Sequence, residues 1–170
     1  MIFLSAGHSP SAPGAAWKGF QEHAEAAIWV AELGNRLGTA AVTVPTGTLA
    51  QKVAWINARA TKWDIAVEVH FNAAANTSAE GCETLFSPNS TRGKTIAQRL
   101  QNSMAEFFLS RGIKPGWYQQ DKSKGPLAFL VQTRCAAVII EPEFVYWASR
   151  IREHRSACCN SLAQALREFL

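Results

Sequence analysis

The chain contains few cysteines, and the four it has, Cys82, Cys135, Cys158 and Cys159, form no C-x-x-C pair. A cysteine-built zinc module and a thioredoxin-type redox site are therefore excluded. Cys158 and Cys159 are neighbours in a stretch with helical spacing, where a bridge would be strained, so four free thiols in a reducing compartment are expected. No apolar run approaches the ~18 residues of a membrane span. Met1-Ile2-Phe3-Leu4 is too short for a secretory core and has no basic leader. A soluble chain made in the cytoplasm, without membrane insertion, is the expectation. Internal repeats and low-complexity linkers are missing, as are basic runs interleaved with aromatics, and no nucleic-acid partner is expected.

What is there describes one domain. The 170 residues are 48% hydrophobic and 18% charged, with a net charge of +4 spread along the chain, enough for a self-sufficient core. Ile2 to Ala6 reads as a buried strand, Phe20 to Leu37 as a helix, and Thr39 to Val44 as a second β-rich run. Helical spacing resumes from Thr48 to Ala60, and Asp64 to Ala73 gives the clearest strand. Gly81 to Phe86 looks extended. Thr91 to Ser110 reads as a long amphipathic helix stopping near Gly112. Residues 114–125, with their proline, glycines and lysines, read as a surface loop. "LAFLV" and "AAVIIE" are apolar runs, and a last helix is expected from about Ser156 to Leu170. The alternation predicts an α/β fold: a mixed, mostly parallel twisted sheet with helices on both faces.

In open α/β sheets, ligands gather beyond the carboxyl ends of the strands. Those ends carry Gly7-His8, His70-Phe71-Asn72 and Glu141-Pro142-Glu143, and the first helix begins near Glu22. Two histidines and two carboxylates from four segments can thus meet at one sheet edge. Catalytic zinc takes three protein ligands from His and Asp/Glu and keeps one position open, and a further carboxylate can serve as general base. His23 and Glu25 are neighbouring alternatives to Glu22. Glu68 should share a face with His70, because strand residues two apart point the same way.

The segments "LSAGHS", "GFQEHAEAAIWVAELGNRL", "VEVHFNAAANTSAEGCETLF" and "GPLAFLVQTRCAAVIIEPEFV" together resemble the zinc-dependent N-acetylmuramoyl-L-alanine amidases of the type 3 class, found in bacterial autolysins and phage endolysins. They follow that family's order and approximate spacing over nearly the whole chain. The resemblance implies one Zn²⁺ per chain, held by His8, Glu22 and His70, with Glu141 as the catalytic glutamate and Asn72 ordering a loop or touching substrate. It implies a peptidoglycan muramyl-peptide substrate, cleaved between N-acetylmuramic acid and L-alanine.

Two departures bear on that transfer. Many relatives carry an acidic residue where Ser5 stands, so support for His8 must come from elsewhere. Pro142-Glu143-Phe144 follows Glu141 where many relatives have a small residue, Gly and Phe, which makes Glu143 a rival base, with Glu68 another. A monomeric catalytic domain over 1–170 is expected, without a separate wall-binding module. The setting it suggests is a phage or prophage endolysin released through a holin pore. Other readings are a zinc peptidase of the stem, a deacetylase, or a non-catalytic wall-binding module. Trp17 and Trp117 are candidates to meet sugar rings, and the 114–125 loop to border the groove. His154, among Arg152, Glu153 and Arg155, reads as part of a solvated helical face.

Overall fold

A computed structural model describes residues 1–118 and 122–170. The main sheet has six strands: β1 (Ile2–Ala6), β4 (Ala41–Thr43), β5 (Ile65–Val69), β6 (Cys82–Phe86), β7 (Ser110–Pro115) and β8 (Ala136–Glu141). A two-stranded hairpin, β2 (Ala16–Trp17) and β3 (Phe20–Gln21), stands apart from it. The order across the sheet is β4-β1-β5-β8-β6-β7. β4, β1, β5 and β8 run parallel, β6 is antiparallel to β8, and β7 is parallel to β6. This is the expected mixed, mostly parallel sheet.

Side chains alternate across the sheet with period two, and the two faces bury different helices. Ile2, Leu4, Val67, Val69, Val138 and Ile140 point into one core with α1 (Glu22–Leu37), α3 (Thr91–Met104) and α5 (Ala148–Arg167). Phe3, Ala66, Ala137 and Ile139 point into the other, under α2 (Leu49–Asn57) and α4 (Ala128–Gln132). Continuing the same parity carries Ser5, Glu68, His70 and Glu141 to the α2/α4 face at the carboxyl ends of β1, β5 and β8. That parity is why polar residues converge at one place on the sheet.

Local signals explain where the helices start. The Thr48 hydroxyl accepts from the Gln51 amide at 3.3 Å and the Gln51 side chain accepts from the Thr48 amide at 2.9 Å, a capping box that starts α2. Ser90 caps α3 by accepting from the Gly93 amide at 2.9 Å.

Several expected boundaries move. The helix expected to reach Ser110 ends at Met104, and Ser110–Pro115 forms the edge strand β7. Sheet pairing wins over helical periodicity here: the Cys82 amide donates to the Leu109 carbonyl at 2.8 Å, and Gly112 takes a positive φ of 78° beside a register shift. The 114–125 segment is not all loop. Lys114 and Pro115 close β7, and Lys122–Lys124 form one 3₁₀ turn, while the part of that expectation covering 119–121 lies outside the described residues. The last helix starts at Ala148, ahead of Ser156. His154 is half-buried, its ring centroid 5.8 Å from Phe108 and 6.1 Å from Phe107, so it packs where a solvated face was expected. All four cysteines are buried and free, and no helix among the described residues is long and apolar enough to cross a membrane.

Candidate metal centre

β1 ends in Gly7-His8, and both residues are shaped by the site. The Gly7 amide continues the ladder to the Val69 carbonyl at 2.8 Å. A Cβ on Gly7 would lie 2.5 Å from the His70 ring, so only glycine lets β1 pass that close. His8 has a positive φ of 60°, which turns its side chain back toward the head of α1. The loop then closes on itself at Gly14, with φ of +77°, where a Cβ would lie 2.5 Å from both Glu22 Oε2 and His8 Cδ2.

Glu22, the first residue of α1, receives both histidines. His8 Nε2 lies 3.0 Å from Oε2 and His70 Nδ1 lies 3.0 Å from Oε1. The Ala15 and Phe71 amides donate to the same two oxygens at 2.9 and 3.1 Å. Burial pushes the Glu22 carboxyl up, but the hydrogen bonds from His70, His8 and Ala15 outweigh it and hold it well below the usual carboxylate range. His70 is pressed between two carboxylates, its Nε2–H donating to Glu68 Oε2 at 3.2 Å. Burial works against its charged form, yet Glu22 and Glu68 push it up to about 10.

His8, Glu22 and His70 each offer one ligand atom, all within 4.8 Å of one another. Two imidazole nitrogens and one carboxylate are a donor set that fits zinc and leaves a position open. The His70 nitrogen turned away from the trio is held by a carboxylate, the arrangement that orients metal-ligating imidazoles.

The three residues sit in a groove of about 790 Å³, with Asn72, Lys52, Glu68 and Glu141 also in its walls. Glu141 ends β8 on the same face, opposite Glu83 in the β6 register. Its carboxyl makes no hydrogen bond among the described residues. Burial first, then the charges of Glu83 and Glu22, push it up to about 7 against the pull of His70 and Lys114. Among the described residues, the buried Nδ2 of Asn72 has no hydrogen-bond partner.

The alternatives are placed differently. Glu143 is fully buried, accepting from the Gly81 and Phe144 amides at 2.5 and 2.9 Å and pairing with Arg150 at 3.0 Å. It ties the backbone at Gly81 to Arg150 of α5 and is not among the residues that line the groove. Glu68 lines the groove, but Ser5, Lys52 and His70 occupy its oxygens. Glu25 pairs with Arg155 at 2.8 Å, and His23 Nδ1 lies 2.8 Å from the Gly7 carbonyl. Trp117 borders the groove, whereas Trp17 packs edge-on against Tyr146 outside it. Sequence reasoning passed over Lys52, although it stands among Leu49, Val53 and Ile56 on the apolar stripe of α2. A lysine on a buried stripe was the available signal.

Solved structures share the fold. The chain superposes on Cwp6 from Clostridium difficile with a TM-score of 0.84 at 20% identity, covering 99% of this chain and 29% of that one. It matches an N-acetylmuramoyl-L-alanine amidase from Clostridium difficile 630 with a TM-score of 0.80 at 20% identity, covering 99% and 92%. The catalytic domain of the CD27L endolysin, which targets the same bacterium, gives 0.76 at 19% identity, covering 98% and 96%. At these identities the likeness is one of fold. No curated protein sequence matches the chain. Its sequence matches the N-acetylmuramoyl-L-alanine amidase family profile over residues 2–165. The chain belongs to that family, and so to the enzymes that hydrolyse an amide bond of peptidoglycan.

Proposed function

We propose that the protein is a zinc-dependent amidase that separates the lactyl group of N-acetylmuramic acid from the L-alanine of the peptide stem. The observation that carries this reading is the meeting of His8, Glu22 and His70 within 4.8 Å, in one groove with the carboxyl of Glu141. His8, Glu22 and His70 would hold one zinc ion per chain, which supplies Lewis acidity at the scissile carbonyl.

The chain's own groups do the rest. Glu141, held near neutrality by burial, takes a proton from the attacking water as the carbon–oxygen bond forms. It passes that proton to the alanine nitrogen as the carbon–nitrogen bond breaks, so one carboxyl serves as base and then acid. A carboxyl with a pKa near the working pH suits both halves of the cycle. Asn72, in the wall of the same groove, orders the loop after β5 or touches substrate.

The biological role we infer is host lysis by a phage or prophage endolysin that acts as a monomer on the wall after holin-type release. The likeness to an endolysin catalytic domain supports it. A bacterium's own wall amidase is the second reading, favoured by the likeness to the Clostridium difficile 630 enzyme. Clearing of outer-membrane-permeabilised Gram-negative cells by the purified protein supports the lytic role, and failure to clear them contradicts it. The bond is tested by digesting purified sacculi and identifying the new N-termini. Alanine freed from muramic acid supports the amidase reading. A different N-terminus moves the scissile bond into the stem, while release of acetate assigns a deacetylase.

A further inference from the structure

We infer that Lys52 and Glu68 form one buried positioning unit that sets both histidines of the proposed zinc site, an inference that rests on the zinc reading above. Each member holds one histidine, and the two hold each other.

Lys52 is 4% exposed, so its ammonium needs oxygen partners in place of water. It donates to the Ala6 carbonyl, to the His8 carbonyl at 2.7 Å and to Glu68 Oε1 at 3.5 Å. Two of these acceptors lie at the tip of β1. His8 needs such an anchor, because a non-glycine residue at φ of 60° sits in a sparsely populated backbone region and persists where its surroundings hold it. The Lys52 bond to the His8 carbonyl fixes the backbone turn that aims the His8 ring at Glu22.

Glu68 holds the other histidine by its ring. It is 3% exposed and lies two residues before His70 on the same face of β5. Oε2 accepts Nε2–H of His70 at 3.2 Å, which leaves Nδ1 as the nitrogen presented to the metal position beside Glu22. Oε1 accepts from Ser5 Oγ at 2.9 Å, and Ser5 is the register partner of Glu68 on β1. The carboxylate is thereby fixed on three sides. Ser5 thus supports His70 through Glu68, and Lys52 supplies the support for His8 that Ser5 does not. Neither Lys52 nor Glu68 is a catalytic residue on this reading.

The test is the zinc dissociation constant of the full chain, measured by competition with a chromophoric chelator, alongside thermal unfolding of the metal-free protein. Glu68→Gln keeps the shape and removes the charge, and its zinc affinity is expected to fall about 10–100-fold, the usual consequence of losing a partner of a metal-ligating histidine. Lys52→Met is expected to weaken zinc about tenfold through His8, at the low end of that range. The double variant should lose less than the product of the two single losses, as members of one unit do. A merely structural pair would lower the melting temperature and leave zinc affinity alone. Arg155→Met, which breaks the Glu25 pair between α1 and α5, is expected to behave in that way. Zinc affinities of Glu68→Gln and Lys52→Met within about twofold of the parent, below the usual 10–100-fold effect, overturn the inference. If Glu68→Gln does not fold, Ser5→Ala serves instead: weaker zinc binding supports the unit, and unchanged binding overturns it. A parent chain that takes up no zinc overturns the metal reading and this inference with it.

Discussion

Replacing Glu141 by glutamine isolates the proposed proton carrier from everything that builds the groove. The side chain keeps its volume and no hydrogen bond among the described residues is lost, so the fold should survive. What disappears is a carboxyl pushed up to about 7, able to accept a proton at neutral pH and return it. Positioned acid–base groups contribute about 10²–10⁴-fold, which is roughly 3–5 kcal/mol of barrier, and kcat should fall by that factor while zinc content stays at the parent level. Stability should move the other way. A carboxyl whose folded pKa is raised from 4.5 to about 7 favours the fold below pH ~4.5 and loses that contribution as pH rises through ~7. In metal-free protein the glutamine variant should therefore gain on the parent across that window, by on the order of 1–3 kcal/mol at pH 8. The assays are turnover of a soluble muramyl peptide and denaturant unfolding at pH 4.5 and 8. A variant retaining more than about a tenth of parental kcat, outside the range above, refutes the assignment. An inactive but folded Glu143→Gln beside an active Glu141→Gln would move the base by two residues.

Metal-free His70, pushed up to about 10, must lose a proton before it can bind zinc, so apparent zinc affinity should rise about tenfold per pH unit between pH 6 and 9; calorimetry in buffers of different ionisation enthalpy should count at least one proton released, and a flat pH profile contradicts this. Gly7→Ala puts a methyl 2.5 Å from the His70 ring, and it should cost about 1–3 kcal/mol of stability together with weakened zinc binding. An alanine variant with parental zinc affinity shows that the ring is not so confined.

Much of the candidate site was legible in the sequence because its residues stand at strand ends, and the family resemblance picked His8, Glu22, His70 and Glu141 from among them; the positive φ that turns His8 toward Glu22 was not legible. Once Ile2 to Ala6, Asp64 to Ala73 and "AAVIIE" are read as neighbouring strands, His8, His70 and Glu141 fall at one edge. Glu22 falls beside them because the helix begins there. Choosing between Glu141 and Glu143 needed three dimensions, since both lie on one short segment. Only the fold shows Glu143 bound to the Gly81 amide and Arg150. The β7 edge strand was hidden for another reason: residues 105–109 keep helical apolar spacing, and the pairing of Leu109 with Cys82 joins segments that sequence periodicity cannot connect. His154 likewise looks solvated among charged neighbours until Phe107 and Phe108 fold back against it.

The most direct test of the central claim is release of new N-terminal alanine from purified sacculi before chelation, after removal of metal, and during zinc add-back. The account predicts that release stops with the chelator and returns in full at one zinc per chain. Alanine release that continues in metal-free protein, or that zinc fails to restore, contradicts it.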